Sequence, residues 1–182
     1  MREIALHILD LARNAIEAGA TAVELTLVEN EQADALEFAL SDNGRGMDES
    51  TLARVTDPFY STRTTRRVGL GLPLLKATCE RCGGGLEISS RLGEGTEVRG
   101  RLQLGHVDRP PLGDMGAVVQ ALACEADHTS LVYRHQANGR TFEVDTKALQ
   151  RELGEVPVSD PRVLVWLAQF VNDHVREVGS KA

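Results

Sequence analysis

Two stretches of alternating polarity, TAVELTLVE at 21–29 and ALEFALS at 35–41, are separated only by the turn-like EQAD at 31–34. Period-two alternation with β-branched residues marks strands, and so short a connection forces them into an antiparallel hairpin. The second strand runs straight into Asp42, Asn43, Gly44, Arg45 and Gly46. Any fold for this chain must therefore end a half-buried strand on a carboxylate followed by two glycines. That pattern fits an ordinary strand-to-helix turn. It equally fits a pocket wall, because glycine lets backbone approach a planar ligand and a carboxylate accepts from an exocyclic amine.

The flanking segments have helical spacing. Ile4, Leu6, His7, Leu9, Leu11 and Ile16 predict a largely buried helix over 3–18 that stops at Gly19. MDESTLARV predicts a short helix capped by Asp48 or Ser50, and 72–82 a helix with Pro73 in its first turn. Residues 56–71 lack periodicity and read as a long loop, the kind that is usually functional in a compact domain. LEISS and TEVRGRLQL form a further hairpin across RLGEG. HVDRPPLGD at 106–114 reads as a linker, which divides the chain into 1–105 and an α+β extension, 106–182. The extension is expected to hold a helix at 114–125, a hairpin turning at Asn138-Gly139, a short helix at 147–153 and a last helix at 160–178.

Composition narrows the function classes. A formal net charge of −7 disfavours nucleic acid as a partner, with the basic residues between Arg54 and Lys76 a local exception. Asp10 and Arg13 interrupt the apolar positions of the first helix, so it is neither a signal peptide nor a membrane span. Three cysteines, Cys79, Cys82 and Cys124, suggest reduced thiols and a cytoplasmic home. Cys79-x-x-Cys82 fits two small residues packed on a sheet; a closed zinc site would need a further ligand such as His106, His128 or His135.

Four features carry candidate chemistry. Asp10 and Asn14, four apart, share one helical face and need partners there unless they face solvent. Asp42, Gly44 and Gly46 form the strand-end pattern. Gly69, Leu70, Gly71 and Leu72 lead into a helix, where backbone N–H groups suit phosphate oxygens, or else they form a simple hinge. Gly93-Glu94-Gly95-Thr96 is in isolation a hairpin turn.

In this order the motifs resemble the GHKL ATPase superfamily of histidine kinases, gyrase-type topoisomerases, MutL-type repair proteins and anti-sigma-factor kinases. LDLARNAIEAGAT looks like its N box, DNGRGM its G1 box, DPFYSTRTT its F-box region, VGLGLPLLKA its G2 box and GEGTEV its last glycine motif, together covering 4–103. The resemblance implies a Bergerat fold, an α/β sandwich with a mixed, mostly antiparallel sheet covered by helices. It implies ATP and Mg²⁺ as ligands, with Asn14 on the metal and Asp42 accepting from adenine N6. Gly44, Gly46 and Thr96 would line the base, and Gly69 to Leu72 would meet the phosphates. Arg63 stands where related kinases carry a lysine and would neutralise phosphate charge.

Asp10 occupies the place where MutL-type ATPases and anti-sigma kinases carry a glutamate as general base, one methylene longer. A carboxylate there implies hydrolysis, or transfer of the γ-phosphate to a protein hydroxyl, ahead of histidine autophosphorylation. Only three residues precede the first helix, so no phosphoacceptor hairpin is expected, and His7 is expected to be packed. The alternative is a non-catalytic ATP-sensing switch. A regulatory protein partner is expected, with neither membrane nor nucleic acid. Similar free-standing family members resemble ones encoded beside hydrogenase subunits, which suggests a hydrogenase-associated partner. The likeness to anti-sigma kinases suggests a homodimer. The apolar face of the last helix, with Trp166, suits packing on the ATPase part or on a partner.

Overall fold

The computed structural model describes residues 3–57, 71–125 and 129–182. Its elements in chain order are α1 (Ile4–Glu17), β1 (Ala22–Asn30), β2 (Ala35–Asp42), α2 (Glu49–Leu52), α3 (Gly71–Arg81), β3 (Gly85–Arg91), β4 (Gly95–Gln103), α4 (Met115–Glu125), β5 (Ser130–Ala137), β6 (Arg140–Asp145), α5 (Thr146–Leu153) and α6 (Pro161–Glu177). The strands form one six-stranded sheet in the order β3-β4-β2-β1-β5-β6, parallel only between β1 and β5. This is the mixed, mostly antiparallel α/β sandwich expected from the motifs.

Alternation explains why the sheet is faced by helices on one side. Val23, Leu25 and Leu27 of β1 and Leu36, Phe38 and Leu40 of β2 are all buried. Residues between them point the other way, because successive side chains of a strand alternate. There, register partners pair by charge: Glu37 opposite Arg101, and Arg134 opposite Glu143 at 2.6 Å. Gly100 of β4 is required by a bulky neighbour, since a Cβ there would enter the Phe38 ring.

The local signals act as expected. Asp48 caps α2 by accepting the Thr51 N–H at 2.7 Å. Asn138 and Gly139 both take positive φ, 53° and 75°, the geometry of a type I′ turn between β5 and β6. Asp160 caps α6 just before Pro161. Cys79 and Cys82 are fully buried in the hydrophobic core, and burial pushes the Cys79 thiol up to about 12. Both therefore act as small core residues. Of the histidines considered as zinc ligands, His135 is bonded to Tyr133 and Glu29, and the His106 Nδ1 accepts from the Asp108 N–H; His128 lies outside the described residues.

Residues 106–114 differ from the linker reading. They hold no helix or strand, but Leu112 is buried, and the Pro111 and Leu112 carbonyls accept from the first N–H groups of α1 at 3.0 and 2.7 Å. Those donors have no partner within a helix, and Glu3 offers no side-chain cap. The segment thus serves as the N-terminal cap of α1. The extension continues the same sheet through β5, and Leu164, Leu167 and Val171 of α6 join the same core. The last helix packs within the molecule against α4, while Val165 and Trp166 stay exposed.

Candidate nucleotide site

The candidate site is built where α1, the turn after β2, the start of β4 and α3 meet. Two glycine-dependent contacts close it. Gly46 has φ +64°, and a Cβ there would strike the Arg91 carbonyl. Gly95 has φ +108°, and a Cβ there would strike the Asp42 carbonyl. Neither position tolerates a side chain, so the turn after β2 lies flat on the β3–β4 hairpin.

Asp42 ends β2 directly opposite Thr96 in the β2–β4 register. Its Oδ1 accepts the Gly44 N–H at 2.8 Å, and the Thr96 N–H also donates to the carboxylate. Burial raises its pKa, and these two backbone donors partly offset that rise. A half-buried carboxylate with local donors on one side keeps lone pairs for a ligand amine.

Two residues not singled out from the sequence fix this turn. Asn43 accepts from the Thr21 and Ala22 N–H groups at 2.8 and 2.9 Å and donates to the Thr21 hydroxyl at 2.9 Å, clamping the turn to the start of β1. Ser90 accepts the Met47 N–H, donates to the Gly95 carbonyl and meets the Thr96 hydroxyl, each at 2.8 Å. Ser90 thus joins the two glycine motifs. Asn43 could have been read as a turn amide that bonds nearby backbone. Ser90 carries no local signal, since its partners lie in two other segments.

The end of α1 meets the same turn. Its Ala18 carbonyl accepts the Arg45 N–H at 3.0 Å, and Gly44 has no room for a Cβ beyond light contact with Ala18. Asn14 and Asp10 lie about one and two turns back along α1. The Asp10 carboxylate lies against Gly71, where a Cβ would overlap it. Gly71 and Leu72 lie in the first described turn of α3, and a helix start is where backbone N–H groups suit phosphate oxygens. Asp42, Gly44, Gly46 and Thr96 thus meet around one turn, the Asp10 carboxylate meets Gly71 with Leu72 beside it, and Asn14 lies on α1 between Asp10 and the end of that helix. Arg63, Arg66, Arg67, Gly69 and Leu70 lie outside the described residues, as does most of the 56–71 loop. His7, one turn before Asp10, is 2% exposed, and among the described residues neither ring nitrogen has a hydrogen-bond partner; burial pushes its pKa down to about 4.

The donor set fits a magnesium nucleotide. Asp42 offers an acceptor at a wall without side chains, Asn14 an amide oxygen suited to a hard cation, and the start of α3 backbone N–H groups. An α/β sandwich with such a cleft defines a class of nucleotide-binding ATPase domain. Residues 2–106 match the family described as histidine kinase-, DNA gyrase B-, and HSP90-like ATPase, and the chain belongs to that family.

Relatives include the sensor protein kinase FleS of Pseudomonas aeruginosa, 45% identical over 58 residues, or 32% of this chain and 14% of that protein. The histidine protein kinase DivJ of Caulobacter vibrioides is 32% identical over 99 residues, 52% of this chain and 17% of that protein. The chain thus matches less than a fifth of the length of either relative. A crystal structure of the N-terminal domain of a DNA repair protein superposes with a TM-score of 0.56 over 79% of this chain and 52% of that one, at 16% identity, which shows a shared fold. Among the described residues no helix is long and apolar enough to cross a membrane.

Proposed function

We propose that this protein is a regulatory Mg·ATP-binding module that hydrolyses ATP or transfers its γ-phosphate to a protein partner in the cytoplasm. The observation that carries this reading is the Asp10 carboxylate lying against Gly71 at the start of α3. An acid at the mouth of a phosphate-suited helix start can take a proton from water or from a protein hydroxyl. Asn14 would hold Mg²⁺, Asp42 would read the adenine amine, and Gly44, Gly46 and Thr96 would line the base. The bound ion would supply charge neutralisation at the phosphates. Asp10 would orient and deprotonate the attacking oxygen. Burial of His7 argues against that side chain as a phosphoacceptor.

A second reading is a nucleotide-sensing switch without turnover. The observation that favours it is the shorter reach of Asp10 compared with a glutamate. Radiolabelled γ-phosphate separates the two. Label on a co-purified protein or released as phosphate by the wild type, and lost in Asp10→Asn with ATP still bound, is the expected result. Tight ATP binding with no label moved in the wild type would leave only the switch. Turnover retained in Asp10→Asn would remove Asp10 as the base.

A further inference from the structure

Arg13 stands between Asp10 and Asn14 on α1, yet its guanidinium is engaged elsewhere. Its Nε and Nη2 donate to the two Glu125 oxygens at 3.0 and 2.5 Å, a forked pair between α1 and the end of α4. The partners are 112 residues apart in sequence. Both side chains are well exposed, 46% and 40%, and an exposed ion pair contributes little to stability. The pair needs another account.

Asp10 and Arg13 are three residues apart on one helix, a spacing at which opposite charges meet. Arg13 already feels the Asp10 charge; its pKa is raised chiefly by the bond to Glu125, with Asp10 adding to the same direction. Among the described residues the Asp10 carboxylate takes part in no ion pair. The guanidinium thus has Asp10 near it on the same helix and is committed to the distant Glu125. A guanidinium docked on Asp10 would lower the basicity of that carboxylate and occupy its oxygens.

We propose that Glu125 is a positioning residue: it holds Arg13 away from Asp10 and so keeps the Asp10 carboxylate available for chemistry at the start of α3. The extension then governs the ATP site through one side chain, and any movement of the α4 end quenches the base. This rests on Asp10 being the base, and its test is chosen to stand apart from that reading. Glu17, one turn beyond Arg13, is the competing acceptor.

Three proteins decide it: E125A, R13Q and the double variant. In E125A the Asp10 carboxyl, followed by carbon-detected NMR through a pH titration, is expected to titrate at lower pH than in wild type. It should return in the double variant. ATP turnover should fall about tenfold in E125A, with ATP affinity and melting temperature within error of wild type, and should recover when R13Q is added. A pair that serves only to join α1 to α4 would leave turnover in E125A unchanged, and that result overturns the proposal. An unmoved Asp10 titration in E125A, as would follow if Glu17 captured Arg13, overturns the proposal. So does a double variant no better than E125A. If the wild type turns over no ATP, the proposed activity fails, while the titration still decides whether Glu125 restrains Arg13.

Discussion

His7 shows how a single residue can tie the fold to pH. Its imidazole is buried on α1 with no hydrogen-bond partner among the described residues, and its pKa is pushed down to about 4 from an ordinary value near 6.5. A group that binds its proton more weakly in the folded state contributes stability above its unfolded pKa. That contribution is lost as pH falls from about 6.5 towards 4. Between pH 7 and pH 5 the loss from this one group is about 2 kcal/mol. Replacing it by leucine should remove that component. Denaturant midpoints of His7→Leu should fall less between those pH values than those of the wild type; an equal fall would show that His7 does not titrate in this way. The helix around His7 was legible from its spacing, and so were Asp10, Asn14 and Asp42 as polar groups in unusual company. The roles of Ser90 and Arg13 were not, because each depends on partners brought from distant segments by the sheet and by α4.

At the scale of elements, the turn after β2 is held by contacts that exclude side chains. Gly46→Ala places a Cβ on the Arg91 carbonyl in a backbone conformation that alanine rarely adopts. The expected cost is about 2 kcal/mol or more of stability, from strain and the collision together. ATP affinity should weaken alongside, since the turn must lift off the β3–β4 hairpin. Chemical denaturation and a nucleotide titration of the variant check both; a stability within about 0.5 kcal/mol of wild type would show that the turn is looser than described. Helices, hairpins and their caps were readable locally, from Asp48, Pro73 and Asn138-Gly139. The docking of 106–114 on α1 was not. Its His, Pro and Gly content resembles any loop, and what orders it is the unpartnered start of another element.

The whole molecule is organised around one sheet that runs through both parts of the chain. Sequence order places β5 some hundred residues after β1, and nothing local announces their parallel pairing; only the completed sheet does. The pairing has a consequence for dissection of the protein. A chain ending at 105 would leave β1 as an open edge, strip α4 from α1 and remove the carbonyls that cap α1. Such edges invite association. The truncated chain should lose its cooperative unfolding transition or aggregate, as seen by calorimetry and light scattering. A sharp transition close to that of the full chain would mean that residues 1–105 form an independent unit.

The carboxylate at the end of β2 is the group on which the proposed nucleotide site depends most. Calorimetric titration of Mg·ATP and Mg·GTP into the wild type and Asp42→Ala tests it. The wild type should bind ATP well and GTP at least about tenfold more weakly, because a carboxylate accepts from the adenine amine and meets a carbonyl in guanine. Asp42→Ala should lose at least about tenfold in ATP affinity while keeping its melting temperature within a few degrees. Unchanged ATP affinity in Asp42→Ala would contradict the placement of the nucleotide in this cleft.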